Sequence, residues 1–177
     1  MSAAMHNFRP ATAADIPQLS KLGARTFRET FVDGFGIPYP PADLAAFCEY
    51  AFGEATLRES IADPAQGWWV AEKDGRIEGF ANIGPCALPH PDADPRNGEL
   101  KRLYIGREAQ GKGVGAALLD IALKAMAERF EGPEWIGVWS GNDKAIRLYG
   151  HYGFHPVGEY KFPVGEWLDD EFILRRG

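Results

Sequence analysis

The sequence predicts a mixed α/β domain, in which helices pack on a mixed, mostly antiparallel β-sheet of six to seven strands. The chain has 177 residues, of which 45% are hydrophobic and 25% charged, and these values are typical of one folded domain. Helical apolar spacing dominates its N-terminal third, whereas short apolar runs separated by turn residues follow. Strands and helices then alternate toward the C-terminus, and we expect residues 1–177 to form a single domain.

The N-terminal part is predicted to be helical after a short extended piece at residues 7–9. Thr12, with Asp15 three positions later, resembles a helix N-cap. A core-facing stripe at helical spacing follows: Ile16, Leu19, Leu22, Phe27 and Phe31. The glycine- and proline-rich residues 33–41 should end this helix, and two shorter helices are expected at residues 43–50 and 56–62.

The remaining elements are predicted mainly as strands. Two of them, at residues 68–72 and 76–83, flank Asp74-Gly75, a dipeptide that suits a tight hairpin turn. Residues 85–97 form a proline- and aspartate-rich loop that is too short to separate two cores. We expect further strands at 99–105, 135–139, 154–160 and 167–174, and helices at 113–130 and 145–152.

Composition limits the function. A net charge of -6 argues against a nucleic-acid partner and weakly favours a cationic small molecule. No apolar run approaches the ~20 residues that span a bilayer, and the N-terminus lacks the order of a signal peptide, so we expect a cytoplasmic protein without a membrane partner. Cys48 and Cys86 are expected to be reduced, and Trp68 and Trp69 to belong to the core.

The strongest local signal is a glycine-rich segment between a predicted strand and a predicted helix. It consists of Gln110, Gly111, Lys112, Gly113, Val114, Gly115 and Ala116. Glycines let successive N–H groups converge, and the helix N-terminus adds partial positive charge, so the segment predicts an anion cradle. A tight turn that packs helix against sheet is the structural alternative.

Two other phosphate-binding patterns fit this segment poorly. Read from Gly106 it nearly matches a P-loop, but Gly113 stands where a Ser or Thr would ligate magnesium. A dinucleotide-binding pattern is excluded by Leu118, which occupies the place of a glycine or alanine. His151 and His155 are four apart without the glutamate of a zinc-protease motif, so we expect no metal.

Two motifs in order carry a family resemblance. The pattern Gln-x-x-Gly-x-Gly/Ala at Gln110 is followed by Asn142-x-x-Ala145-x-x-x-Tyr149 and then by Gly153-Phe154. Together they resemble the GNAT (GCN5-related) N-acetyltransferase superfamily. Less specific likenesses at residues 26–31, 43–52, 135–139 and 169–171 are similar to its bacterial spermine/spermidine acetyltransferase branch. The resemblance implies a GNAT fold and acetyl-CoA as co-substrate.

The resemblance also implies roles for individual residues. Residues 110–116 would hold the cofactor pyrophosphate, and backbone groups of Leu103, Tyr104 and Ile105 would pair with the pantetheine arm and meet the oxyanion. Asn142 and Ala145 would lie at the cofactor, and Tyr149 would protonate the leaving thiolate. An amine of pKa ~10 must lose a proton before it attacks, so Glu99 would be the base, directly or through water.

The acceptor is expected to be a primary amine that attacks directly within a ternary complex. A polyamine held by Glu29, Asp33 and Glu166 is the first choice, while peptide N-termini, amino sugars and drug amines remain open. The 85–97 loop and Gly150 depart from the branch near the acceptor face. A non-catalytic acyl-CoA sensor and a nucleotide hydrolase are the alternatives from other classes, and a homodimer is compatible with the sequence.

Overall fold

The fold is built on one seven-stranded sheet, seen in a computed structural model that describes residues 5–177. The strands are β1 (Asn7–Pro10), β2 (Gly67–Lys73), β3 (Arg76–Pro85), β4 (Gly98–Ile105), β5 (Glu134–Trp139), β6 (His155–Val164) and β7 (Trp167–Arg176). Their order is β1-β2-β3-β4-β5-β7-β6, and only the β4–β5 pair is parallel. The predicted mixed, mostly antiparallel sheet flanked by helices is confirmed. Residues 1–4, which belong to the N-terminal segment expected not to be a signal peptide, lie outside the described residues.

Helices cover both faces of the sheet. The α-helices among the described residues are α1 (Ile16–Phe27), α2 (Pro41–Phe52), α3 (Glu54–Ala62), α4 (Val114–Arg129) and α5 (Asp143–His151). Residues of α1, α2 and α3 pack with Trp68, Val70 and Phe80 in one core. Residues of α4 and α5 pack with Trp69 and Ala71 in a second core on the opposite face. The alternation along β2 therefore supplies both cores from one strand.

Element boundaries differ from the prediction mainly at the ends. The first helix ends within residues 33–41 as expected, but its last part, Arg28–Gly34, which carries Phe31, is π-helical. The helix start at Thr12 is a 3₁₀ turn, Ala13–Asp15, in which the Thr12 N–H donates to the Asp15 carboxylate at 2.8 Å. Strand β6 extends to Val164, because its pairing with β7 continues up to the turn at Gly165.

The sheet opens at its centre. Strands β4 and β5 pair only at Glu99–Trp135 and Leu100–Ile136, after which they diverge. Lys101 is an extra residue in β4, since Leu100 and Arg102 pair with the consecutive residues Ile83 and Asn82 of β3. Beyond Leu100, the edge of β4 that faces β5 has no strand partner, and a cleft forms between the two strands.

Candidate active site

The cleft has a volume of about 1060 Å³ and is lined by both diverging strands, by the glycine-rich loop and by α5. It contains every residue predicted for cofactor binding or catalysis except Lys112. These are Glu99, Leu103, Tyr104, Ile105, Gln110, Gly111, Gly113, Val114, Gly115, Ala116, Asn142, Ala145 and Tyr149. We call the part formed by residues 110–116 with Asn142 and Ala145 the glycine-loop end.

Backbone conformation, not packing, requires the glycines of this loop. Gly111 and Gly113 have φ of 73° and 78°, in the left-handed region, and Gly113 directly precedes α4. A Cβ added at either residue would meet no atom within 4 Å, so neither glycine is there to admit a neighbouring side chain. The open, left-handed turn at a helix N-terminus therefore fits an anion such as a pyrophosphate.

Two side chains of the loop stabilise its own backbone. The Gln110 side-chain amide donates to the Ile105 carbonyl at 3.1 Å. The Lys112 ammonium donates to the Glu108 carbonyl at 2.6 Å and does not line the cleft. The structure therefore does not bring Lys112 to the site as expected, because its side chain folds back onto the turn at Arg107–Ala109.

Helix α5 places Tyr149 in the cleft. The Asn142 side chain accepts from the Ala145 N–H at 3.1 Å, which confirms Asn142 as the N-cap of α5. Tyr149 follows on the buried side of that helix and is 8% exposed. Burial raises the pKa of its phenol to about 12, and its hydroxyl has no hydrogen-bond partner among residues 5–177. The phenol is therefore a protonated donor that faces the cleft.

Glu99 is buried at the start of β4. One of its carboxylate oxygens, Oε2, accepts from the Ala87 N–H at 2.9 Å and from the Lys101 ammonium at 3.2 Å. Glu99 thereby joins the sheet to the loop at residues 86–97, which adds Ala87, Leu88 and Pro89 to the lining of the cleft. That loop does lie at the site as expected, whereas Gly150 is exposed on α5 and does not line the cleft.

The acidic residues of the cleft are mostly not the predicted ones. Glu29 lines it, but Asp33 pairs with Arg107 at 3.3 Å on the surface, and Glu166 is exposed in the turn after β6. Asp33 and Glu166 are therefore wrong as cleft residues. Asp169 and Glu171 take part instead, and together with Glu99 we call them the acidic end. Their alternation along β7, two residues apart, is the signal that would have found them.

Both newly found carboxylates bind a tyrosine. The Tyr39 hydroxyl donates to Asp169 at 2.5 Å, and the Tyr160 hydroxyl donates to Glu171 at 2.6 Å. Burial is the largest cause of a raised pKa at Asp169, and it raises the pKa of Glu171 to about 7. The acidic end is therefore a partly desolvated group of carboxylates, in which Glu171 is poised to exchange a proton near neutral pH.

Glu29 forms a separate carboxylate on the wall made by the π-helical segment. Its Oε1 accepts from Arg25 at 3.2 Å, while its Oε2 is buried without a hydrogen-bond partner. A buried, unpaired carboxylate oxygen is costly, so a cationic or hydrogen-bonding ligand would stabilise it.

Aromatic and cationic side chains complete the lining. Trp139 lies 4.6 Å from Phe35, measured between ring centroids, at the end of β5. The Arg102 guanidinium lies 5.3 Å from the centroid of Phe52, and no residue among 5–177 pairs with it through a salt bridge or hydrogen bond. Of the aromatics expected in the core, Trp68 and Trp69 are buried there, whereas Phe27 and Phe31 pack in a core and also line the cleft.

Across residues 5–177 no three His, Cys, Asp or Glu side chains come together as a metal site. Within the same residues, no helix combines the length and apolarity that crossing a membrane requires. Cys48 and Cys86 are both free, as expected.

Known N-acetyltransferases are similar to this chain in sequence. An uncharacterized N-acetyltransferase in the pepI 3' region of Lactobacillus delbrueckii subsp. lactis is 28% identical over 162 residues, which are 92% of this chain and 91% of that protein. The spermine/spermidine N(1)-acetyltransferase of Bacillus subtilis (strain 168) is 35% identical over 92 residues, 50% of this chain and 59% of that protein.

Solved structures show the same architecture. The PaiA N-acetyltransferase of Thermoplasma acidophilum, solved in complex with coenzyme A, has a TM-score of 0.73 at 18% identity, covering 97% of this chain and 98% of that one. The ribosomal-protein-alanine N-acetyltransferase of Brucella melitensis has a TM-score of 0.66 at 25% identity, covering 96% of this chain and 98% of that one. Residues 24–154 match the acetyltransferase (GNAT) family. The predicted family is thereby confirmed, and this protein belongs to the acetyltransferase (GNAT) family.

Proposed function

We propose that the protein transfers the acetyl group of acetyl-CoA to a primary amine of a small cationic molecule, by direct attack within a ternary complex. The observation that carries this proposal is one cleft lined by an anion cradle, by a protonated phenol and by carboxylates. Acetyl-CoA supplies an acyl group activated as a thioester. We infer that residues 1–177 act as one domain, since both cores share the same sheet.

The glycine-loop end would hold the cofactor. Gly111 and Gly113 leave open space beside a helix N-terminus, where a pyrophosphate would meet backbone N–H groups without a steric obstacle. The backbone of Leu103, Tyr104 and Ile105 follows the point where β4 and β5 separate, so its groups facing the cleft are free to pair with the pantetheine arm. One of these N–H groups would also stabilise the oxyanion of the attacked carbonyl.

Tyr149 would be the general acid. Its phenol is protonated, lines the cleft and has no competing acceptor among the described residues. It would donate its proton to the thiolate that leaves when the thioester breaks. The proton acceptor would be a carboxylate of the acidic end, where Glu99 is the base that the family resemblance implies.

A polyamine is the acceptor that the carboxylates favour. The acidic end attracts the reacting ammonium, and Glu29 on another wall offers a buried, unpaired oxygen to a second one. Separated anionic sites suit a molecule with separated positive charges. The Bacillus subtilis relative named for spermine and spermidine supports the same choice.

An amine that also carries an anionic group is a second candidate, favoured by Arg102. Burial lowers the pKa of this guanidinium, and no carboxylate among residues 5–177 pairs with it. A carboxylate on the acceptor would provide that missing partner in bidentate geometry. Amino acids and peptide amines belong to this class.

A panel of acceptors tests both candidates. CoA release from acetyl-CoA would be measured with spermidine, spermine, putrescine, ornithine, peptide N-termini and aminoglycosides. Putrescine and ornithine differ only by a carboxylate, so the ratio of their kcat/KM values measures how much that carboxylate contributes. Arg102→Gln should change this ratio only if Arg102 binds the carboxylate of the acceptor. Saturable acetyl-CoA binding with no turnover on any amine would contradict the proposed enzyme activity and favour a non-catalytic acyl-CoA sensor.

A further inference from the structure

We propose that Glu171, positioned by Tyr160, accepts the proton that the acceptor ammonium must lose before it attacks. This proposal rests on the proposed function and assigns the base to a different carboxylate from Glu99. Glu171 was not singled out as a site residue by its sequence, and it is brought to the cleft from β7, near the C-terminus.

The geometry holds one oxygen of Glu171 and leaves the other free. Oε2 accepts from the Tyr160 hydroxyl, which comes from β6, at 2.6 Å. Oε1 has no hydrogen-bond or salt-bridge partner among residues 5–177, and the residue lines the cleft. Tyr160 therefore fixes the orientation of the carboxylate and leaves Oε1 to receive a proton.

Gly137 leaves room for this pair. A Cβ added to Gly137 on β5 would lie 2.6 Å from the Tyr160 hydroxyl oxygen and 3.2 Å from Glu171 Oε2. The first distance is shorter than real Cβ atoms show, so any larger residue would displace the tyrosine. The hydrogen-bonded pair thus depends on a glycine in the strand opposite.

The charges around Glu171 suit a base near neutral pH. The titratable groups that act on it or respond to it are Glu99 and Tyr104 of β4, Tyr160 of β6, Asp169 of β7, and Tyr39 in the segment before α2. None of them is a cation. Burial, Asp169 and Glu99 raise the pKa of Glu171 to about 7, while the hydrogen bond from Tyr160 opposes the shift.

Glu99 differs in its partners. Its Oε2 already accepts from two donors, a backbone N–H and the Lys101 ammonium, whereas Glu171 accepts only from a neutral hydroxyl. The Lys101 contact makes Glu99 part of an ion pair, and Glu171 has no such cationic partner among residues 5–177. Two carboxylates in one site with different surroundings can divide the roles of charge and proton acceptor in this way.

Proton transfer to Glu171 leaves the acceptor nitrogen with the lone pair that forms the new C–N bond. As that bond forms, the carbonyl π-electron pair moves onto oxygen. When the carbonyl re-forms, the C–S bond breaks and its electron pair leaves on sulfur, which takes the phenolic proton of Tyr149. The nitrogen then loses a second proton, which returns to the phenolate. The proton on Glu171 passes to solvent, so one ammonium and one thioester become an amide, a thiol and one released proton.

The test compares Glu171→Gln with Glu99→Gln and with a matched control, Asp170→Asn. Asp170 is the adjacent exposed residue on β7, where it pairs with Lys161. With the most active amine of the panel, kcat/KM of the wild type should rise with pH through about 7 as Glu171 ionises. Glu171→Gln should lower kcat/KM about 100-fold at neutral pH. The deficit should shrink at alkaline pH, where the amine is already neutral, and Asp170→Asn should match the wild type.

Tyr160→Phe tests positioning separately from folding. Because the Tyr160 hydrogen bond lowers the pKa of Glu171, its loss should move the acidic limb of the pH profile to higher pH. Acetyl-CoA affinity measured for each variant verifies that the cleft is intact. A wild-type pH profile for Glu171→Gln, or loss of the acidic limb in Glu99→Gln alone, would overturn the assignment and leave the acetyltransferase function standing. Absence of turnover by the wild type on every amine would overturn both.

Discussion

The two ends of the cleft are built in different ways. The glycine-loop end comes from one continuous segment and the start of one helix, and its conformation is set by local backbone geometry at Gly111 and Gly113. The acidic end collects Glu99, Asp169 and Glu171 from β4 and β7, which are separated in order by β5. Two of its carboxylates, Asp169 and Glu171, are oriented by tyrosines that come from still other segments.

This difference in construction separates cofactor recognition, which depends on backbone groups, from acceptor recognition, which depends on side chains. A cradle made of backbone groups recognises any pyrophosphate in the same way and depends on few side chains. An acceptor site made of side chains from distant strands can change through single substitutions without disturbing the cradle. Variants at the two ends should therefore affect different kinetic constants.

The largest effect is expected at Tyr149 on α5. Replacement by Phe should lower kcat about 100- to 1000-fold, because the leaving thiolate loses its proton donor. The ring is retained, so acetyl-CoA affinity should stay close to that of the wild type. Steady-state kinetics together with direct binding of acetyl-CoA measure the two quantities. Unchanged kcat would remove Tyr149 from the chemistry.

A smaller effect is expected from Gly113→Val at the glycine-loop end. A residue with a Cβ loses about 1–2 kcal/mol in left-handed backbone, so the loop should move and acetyl-CoA affinity should fall about tenfold or more. Gly75→Val is the matched control, since Gly75 has a φ of 77° and open space in the hairpin between β2 and β3.

Both glycine variants should lose similar thermal stability, and only Gly113→Val should weaken binding. Equal acetyl-CoA affinity in two folded variants would exclude the loop from the cofactor site.

The smallest effect is expected from Glu29→Gln, which should raise KM for spermidine about threefold to tenfold. The variant would lose one charge-assisted hydrogen bond between the Glu29 carboxylate and an ammonium of spermidine, which contributes about 1 kcal/mol of binding free energy. A monoamine should be unaffected, because it has no second ammonium for this carboxylate. Asp33→Asn, on the surface beside Arg107, is the control. Equal changes in KM for monoamine and spermidine would show that Glu29 does not select for a second charge.

Prediction from sequence succeeded where neighbouring residues determine structure. The hairpin at Asp74-Gly75, the N-cap at Asn142 and the glycine loop all depend on the conformational preferences of a few consecutive residues. The direction of the Lys112 side chain was not predicted, because a motif position does not reveal that a long side chain folds back onto the Glu108 carbonyl.

The carboxylates of the acidic end could not be predicted in the same way. Glu29, Asp33 and Glu166 were all chosen for their charge, and of these only Glu29 lines the cleft. Asp169 and Glu171 face inward because β7 inserts between β5 and β6, and the position of a strand in a sheet is a long-range property.

By itself, the sequence determined the mixed sheet with its helices and the glycine loop, because turn chemistry, capping and apolar periodicity act over short distances. The family, and with it the choice of Tyr149, came from the resemblance of two motifs to known acetyltransferases. Only the tertiary structure decided which carboxylates share the cleft, which tyrosines bind them, and how burial raises the pKa of Glu171. Those properties depend on desolvation and on neighbours that are distant in sequence, and no local pattern records either.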